Sequence, residues 1–323
     1  MTTRVNKYVR QRLLHQIDRK KLQIPSLPLT LEETTTLLDC IKNKEYKNNQ
    51  ESFLKKELMH KIVPGVDETT KLKAEFLYMV SQNQLYSNFI LPDEAISLLG
   101  TMQGGYNVNV LIKLLKQGEY GHEIYKQLKN TTLIFDSFYD IEREMKSGNN
   151  WANKIIESWA KGEWFTSREK LKDKITMTIF KVPGEINTDD LSPAPDAWRR
   201  PDIPLHARSM LKCERNGIIP DKPYEIGPMH QMDKVKELGY PIAFVGDIVG
   251  TGSSRKSATN SILWHFGKDI PYVPNKKTGG FCFGSKIAPI FYSTMEDSGA
   301  FPIEMDVSKL EMGDIIDFYP YEN

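Results

Sequence analysis

The chain has 323 residues, enough for two ordinary domains with real cores. Its 43 Lys and Arg balance 42 Asp and Glu, so no whole-molecule field draws nucleic acid or a membrane toward it, and any such binding would need a local basic patch. Cys40, Cys213 and Cys282 are scattered and never form CxxC, which argues against a disulfide framework and against a complete metal or iron–sulfur site on this chain, and points to a reducing compartment.

The opening MTTRVNKYVRQRLLHQIDRKK is charged throughout and lacks the unbroken apolar stretch of a secretory signal. No apolar run elsewhere approaches the ~20 residues of a membrane span. These features predict a soluble, cytoplasmic protein. Between about residues 30 and 165 one amphipathic helix follows another. Thr30 and Glu33 form a T-x-x-E capping box ahead of Leu37, Leu38 and Ile41, which share a helical face. NKEYKNNQES (43–52) is expected to be a polar loop, and Phe53, Leu54, Leu58 and Ile62 carry the next stripe. Leu72, Phe76, Leu77 and Val80 follow; Pro92, Asp93 and Glu94 read as a first helical turn that stops at Gly100. Gly104 and Gly105 read as a turn. Val110, Leu111, Leu114 and Leu115 come next, then a long pattern through Leu128, Phe135 and Ile141, then Ile155, Ile156 and Trp159. Stacked helical hairpins of the solenoid type and a plain helical bundle both fit this periodicity.

After SREKLKDK (167–174) the period changes to short β-rich runs punctuated by Gly and Pro. ITMTIFKVP (175–183) alternates like a strand, and PIAFVGDIVG (241–250) reads as a buried strand that enters GTGSSRKSATNSILW (250–264). KIAPIFYSTMEDSGAFPIEMDV (286–307) and DIIDFYP (314–320) complete a second, mixed α/β domain. The expected division is 1–168 and 169–323.

A strand, a glycine turn and a helix are the setting in which backbone N–H groups hold an anion. A nucleotide is not what this turn fits. GxxxxGK[ST] and GxGxxG, each begun at Gly250, both need glycine where Arg255 stands, and no strand-then-acidic-residue pattern some 20 positions later supports a dinucleotide site. What remains is Ser253, Ser254 and Arg255 at a helix start, with Lys256, Ser257 and the apolar Ile262, Leu263 and Trp264 as support. Arg suits a carboxylate bidentately; a serine becomes a base only where cations and a helix dipole stabilise its alkoxide. A Ser-rich N-cap beside an exposed Arg is the alternative. A second polar cluster, NTDDLSPAPDAWRRPDIP (187–204), packs Asp189, Asp190, Asp196, Arg199 and Arg200 into a proline-broken loop of the kind that often forms sites. The 6 histidines, His15, His60, His122, His206, His230 and His265, show no i, i+3 or i, i+4 pairing and are assigned no metal.

Both clusters resemble the swivel domain of aconitases, and in the forms GTGSSRKSATN and NTDDLSPAPDAW they resemble aconitase B in particular. The likeness continues through NKKTGGFCFGSKIAPIFYSTMEDSGAFPIEMDVSKLEMGDIIDFYPY. It extends backward through GTMQGGYN (100–107), LIFDSFYDIE (133–142) and the run ending at Phe165, which are similar to the HEAT-like helical domain of that family. It is loose before about residue 87, and poor over the first 25 residues and NKEYKNNQES. The resemblance implies a HEAT-like helical solenoid followed by a mixed β/α swivel domain. It implies Ser253 as catalytic base, and Ser254, Arg255 and Arg200 beside it as ligands of a tricarboxylate. The implied reaction is dehydration and rehydration between citrate, cis-aconitate and isocitrate, with 2-methylisocitrate as a further substrate.

In that family a three-domain core follows and carries a 4Fe–4S cluster on three cysteines. This sequence stops at Tyr319-Pro320-Tyr321, where the linker to the core would begin, so the cofactor and the core domains are expected as partners and not on this chain, which alone would not turn over. The contrasting expectation is a regulatory or interaction protein, a homodimer through the helical domain or a binder of messenger RNA. Retention of Ser253, Ser254, Arg255 and Arg200 favours the catalytic reading over that one.

Overall fold

The structure is a computed structural model that describes residues 3–131 and 135–322, and of Phe135 and Asp136 the backbone alone. It divides into two compact units, Met1–Glu169 with Pro271–Pro274, and Lys170–Ile270 with Asn275–Asn323.

The first unit is helical among its described residues. Its helices are α1 (Arg4–Lys21), α2 (Leu31–Lys42), α3 (Asn48–His60), α4 (Glu68–Ser81), α5 (Pro92–Gly100), α6 (Tyr106–Gln117), α7 (Gly121–Leu128), α8 (Phe135–Lys146), α9 (Asn150–Ala160) and the single turn α10 (Glu163–Thr166). Local chemistry starts and stops them. Thr30 and Glu33 make the reciprocal capping box of α2, and Pro92 sits in the first turn of α5 where its missing N–H costs nothing. Gly105, at φ +99°, precedes α6, and a Cβ there would lie 2.5 Å from the Gly65 carbonyl oxygen. The Gly104–Gly105 pair is therefore a turn, as the sequence predicts. Leu37, Leu38, Ile41, Leu54, Leu58, Phe76, Leu77, Leu111, Leu115 and Ile155 are buried in one core. Contacts run to the next-but-one helix, α2 to α4, α4 to α6, α5 to α7, α6 to α8 and α7 to α9, as well as between neighbours.

In this unit one helix goes unpredicted and two expectations need correction. The polar opening of the chain is a helix, α1, whose buried residues include Val5, Tyr8 and Arg12, so its inner face is partly polar and apolar spacing alone does not reveal it. NKEYKNNQES is a loop only to Lys47, since Asn48 already begins α3. The long pattern through Leu128, Phe135 and Ile141 belongs to two helices, and Leu133 and Ile134 of LIFDSFYDIE lie outside the described residues.

The second unit is built on a five-stranded mixed sheet. Its elements are β1 (Ile175–Asn187), α11 (Thr188–Leu191), a 3-10 helix (Ala194–Arg199), α12 (Ile203–Ala207), α13 (Met229–Lys236), β2 (Ile242–Thr251), α14 (Arg255–Phe266), β3 (Lys268–Asp269), β4 (Lys277–Thr278), β5 (Phe281–Ile287), α15 (Pro289–Asp297), β6 (Phe301–Glu304) and β7 (Ile315–Phe318). The strand order is β6-β5-β2-β1-β7, with β7 antiparallel to β1 and the other pairs parallel. Strand β1 extends past Pro183 to Asn187 through a bulge between Val182 and Glu185. Both faces of the sheet are covered. Phe180, Val182, Phe244 and Cys282 pack on one side with Ile262, Leu263 and Phe291, while Met177, Ile179, Val245 and Phe283 pack on the other with Val307. That two-sided burial explains the apolar run 242–245 that opens β2. Among the described residues, no helix is long and apolar enough to cross a membrane.

Candidate functional site

The parallel pair β1 and β2 ends at the register Asn187 against Thr251, so the segments that follow the two strands leave the sheet side by side. Ligands of open α/β sheets bind outside the carboxyl ends of parallel strands. After β1 the chain turns into α11, where Asn187 and Asp190 make a capping box. After β2 it passes through Gly250 and Gly252 into α14.

Both glycines are required by geometry. Gly250 has φ +84°, and a Cβ would meet the Phe291 ring at 2.2 Å. Gly252 has φ +108°, and a Cβ would lie 2.5 Å from Thr188 Oγ1 and 2.7 Å from Asn187 Oδ1. The missing side chains let the second turn close on the first. Thr251 Oγ1 donates to Glu185 Oε1 at 2.7 Å, and the Ser254 N–H donates to Thr188 Oγ1 at 3.2 Å.

Ser253, Ser254 and Arg255 stand at the start of α14, and the structure brings Arg200, the fourth predicted residue, to them. Ser254 is the N-cap, and its hydroxyl caps no helical N–H. Instead it accepts a 2.9 Å hydrogen bond from the Arg200 guanidinium, whose same nitrogen reaches the Ser192 carbonyl at 3.5 Å. Arg200 Nε is buried and has no partner among the described residues. Ser253 is exposed and Arg255 half-buried, and neither side chain makes a hydrogen bond or ion pair among the described residues. The arrangement offers a carboxylate one guanidinium already placed by a hydroxyl, a second without a protein partner, and two hydroxyls at a helix N-terminus.

Two of the three acidic residues of the second cluster, Asp190 and Asp196, serve the scaffold. Asp190 accepts from the Asn187 N–H at 2.8 Å and pairs with Arg215 at 3.3 Å. Asp196 pairs with Lys212 at 2.6 Å and with Arg199 at 3.5 Å. Burial raises the Asp196 carboxyl, but the Lys212 hydrogen bond and charge, with Arg199, outweigh it and hold the group below its ordinary value. Asp189 stays exposed, and Arg199 lies over the Trp198 ring at 4.8 Å. Of the five charged residues, Arg200 is the one that reaches the glycine turn. The loop is also more regular than its prolines suggest, since they open short helical turns.

Beneath the turn lie residues that sequence reasoning does not pick out. Ser192 Oγ is 2.8 Å from His206 Nε2 and 2.9 Å from Ser257 Oγ, and Ser257 Oγ is 3.1 Å from the Ser254 carbonyl oxygen. Separations of 14 and 65 residues leave no local pattern that would link them.

The chain's own donors do not fit an iron–sulfur cluster. Cys282 is buried inside the sheet, where desolvation pushes its thiol up to about 12, far from the thiolate a cluster needs. Cys40 is buried in the helical unit and Cys213 is exposed. Among the described residues, no group of three or more His, Cys, Asp or Glu is placed to hold a metal ion.

Two family models match the chain. Residues 11–165 match the aconitate B N-terminal domain, and residues 177–323 match the aconitate hydratase 2 N-terminus. The chain is 53% identical over 308 residues to aconitate hydratase B of Pseudomonas aeruginosa, which covers 95% of this chain and 35% of that protein. The same named protein of Escherichia coli is 52% identical over 308 residues, with the same coverage, and that of Helicobacter pylori 49%, over 95% of this chain and 34% of its own length. The chain thus spans about a third of the length of the curated relatives it matches.

Proposed function

Since the chain belongs to the aconitase B family, we propose that it supplies the tricarboxylate-binding turn and the catalytic base of an aconitate hydratase, and that turnover needs the further length its relatives carry. The observation that carries this reading is the 2.9 Å bond from Arg200 to Ser254, which joins two loops 54 residues apart into one polar surface beside Ser253 and Arg255.

Arg200, Ser254 and Arg255 bind and orient substrate carboxylates. Ser253 takes the proton from the carbon next to a carboxylate as hydroxide leaves the neighbouring carbon, so citrate loses one water to give cis-aconitate, and the reverse addition gives isocitrate. 2-Methylisocitrate is a substrate of the same chemistry. An exposed hydroxyl is a poor base; the helix N-terminus and the Arg255 charge beside it are what lower the cost of its alkoxide. The resemblance puts the 4Fe–4S cluster on the remainder of the enzyme, and the roles assigned to this chain are those of its own side chains. The next-but-one helix contacts support a HEAT-like solenoid for residues 1–168. The parallel strand pair feeding two site loops supports a swivel domain for 169–323.

The test is anaerobic citrate–isocitrate interconversion by this chain alone, by a separately made cluster-bearing aconitase B core alone, and by the mixture. Activity is expected in the mixture alone, and Ser253→Ala should abolish it. A mixture that binds but stays inactive overturns the catalytic reading. In that case the homodimer or RNA-binding module becomes the better account. That account draws on Leu13, Leu14 and Ile17, large apolar side chains exposed on α1.

A further inference from the structure

We propose that His206, acting through Ser192 and Ser257, is a positioning residue that locks Arg200 and the Gly252–Arg255 turn into one binding unit; the carboxylate specificity of that unit rests on the reading above. The contacts close a ring. Arg200 binds both the Ser254 hydroxyl and the Ser192 carbonyl, the Ser192 hydroxyl meets the Ser257 hydroxyl, and Ser257 returns to the Ser254 carbonyl. His206 on α12 is the member that anchors the ring to the scaffold. It is buried, with Nε2 against Ser192 Oγ at 2.8 Å and Nδ1 against the Asp196 carbonyl oxygen at 3.2 Å.

Proton counting gives the ring a direction. The Asp196 carbonyl can only accept, so Nδ1 carries the hydrogen. Three charged groups act on the imidazole: Arg200, Asp196 and Arg199. Burial, followed by the Arg200 charge, moves its pKa below the ordinary value, so at neutral pH Nε2 is a lone pair. Ser192 therefore donates to His206, and because each hydroxyl has a single hydrogen, Ser257 gives its own either to the Ser192 oxygen or to the Ser254 carbonyl, not to both. The Ser254 carbonyl keeps the Ala258 N–H at 3.0 Å. In this arrangement Ser192 has one orientation, and that orientation fixes the peptide whose carbonyl holds Arg200. A charged imidazole would carry a hydrogen on Nε2, turn the Ser192 hydroxyl to donate to Ser257, and commit the Ser257 hydrogen to the Ser254 carbonyl. A histidine that merely fills the core would leave Arg200 indifferent to its replacement.

The experiment follows the Arg200 guanidinium by 15N–13C NMR in the 323-residue chain at pH 7, with melting temperature recorded for each variant. In the wild type, Arg200 should show slow Nη rotation and proton exchange. Ser192→Ala and His206→Leu should each speed that exchange by about fivefold, the loss of one hydrogen bond's worth of restraint. The double variant should do no more than either single one. His206→Gln, which keeps an acceptor near the Nε2 position, should restore most of the restraint. Ser257→Ala gives the same reading should His206→Leu fail to fold. Unchanged Arg200 exchange in Ser192→Ala and Ser257→Ala overturns the proposal, as do additive effects in the double variant. Adding tricarballylate separates the two ideas: an Arg200 signal that depends on the ring but ignores tricarballylate sinks the carboxylate reading and leaves the positioning role standing.

Discussion

In the helical unit Arg12 is 2% exposed and every side of its guanidinium is engaged: Nε on Glu57 at 2.7 Å, Nη1 on Glu33 at 3.2 Å and Nη2 on the Leu27 carbonyl at 3.0 Å. In the α/β unit Arg255 has no partner among the described residues, and Arg200 is held by one hydroxyl and one carbonyl with its Nε unpaired. The first arrangement is what buried charge demands when it serves architecture, because an uncompensated ion inside a core costs several kcal/mol. The second leaves capacity that a ligand can use. Arg12 is saturated and serves the fold, whereas Arg200 and Arg255 keep donors that the proposed site can use.

Breaking the saturated cluster should give the largest effect. Glu57 is 1% exposed and also takes Gln16 at 3.3 Å and Tyr8 at 3.5 Å, so Glu57→Ala leaves a buried guanidinium facing a cavity. A loss of about 3–5 kcal/mol is expected, read as a lower urea midpoint of the helical circular dichroism signal. A change under 1 kcal/mol would mean that water, with the existing Glu33 pair, is enough to satisfy Arg12. The next effect runs the other way. Lys73 is 3% exposed and, among the described residues, reaches only the Met59 carbonyl, at 3.4 Å, and burial lowers its pKa from 10.5 to about 8. The unfolded chain therefore binds more protons than the native one between pH 8 and 10.5, and stability rises with pH across that window. Below it the lysine is charged in both states and the full burial cost is felt. Lys73→Met should thus stabilise the protein by about 3 kcal/mol at pH 7, with the gain shrinking as pH rises from 8 toward 10.5. A gain that is flat with pH would show that packing, not desolvation, is what changes.

These two units were not equally legible. The capping box at Thr30 and the apolar spacing of α2 to α6 are local signals, and they place the helices correctly. Helix α1 escaped because its buried side includes Arg12, whose burial depends on Glu33 and Glu57 far along the chain, and Arg19, which holds the Pro25 carbonyl beyond the helix end. In the α/β unit, Gly250, Gly252, Ser254 and Arg255 announce a turn by their order, and Arg200 is found through family likeness. The scaffold beneath them is silent, because His206, Ser192 and Ser257 are ordinary residues until the sheet brings their loops together. Asp190 and Asp196 misled for the same reason, since charge in a loop looks like chemistry until its partners Arg215 and Lys212 are in place.

The glycine turn offers a smaller but local break. At Gly252, alanine would have to hold φ +108° and push against Thr188 Oγ1, so Gly252→Ala should cost about 1–3 kcal/mol. Because the crowding falls on the same Thr188 that binds the Ser254 N–H, the Arg200 NMR signal should shift as well. A stability loss with Arg200 unmoved would separate the turn from the guanidinium it is argued to hold.

The smallest expected change carries the sharpest contrast. Ser253 is exposed and its hydroxyl has no partner among the described residues, so Ser253→Ala removes no bond and opens no cavity. Its effect on stability should stay within about 0.5 kcal/mol in thermal melts. Ser257, four positions on, has its hydroxyl between Ser192 and the Ser254 carbonyl, and Ser257→Ala should cost about 1 kcal/mol, the worth of the hydrogen bond it removes. Two serines on one turn would then differ in opposite senses, one dispensable to the fold and required in the mixed assay, the other a contributor to both. If Ser253→Ala instead costs as much as Ser257→Ala, its hydroxyl is committed to the scaffold, and the residue left to face the substrate proton is no longer the one with a free oxygen.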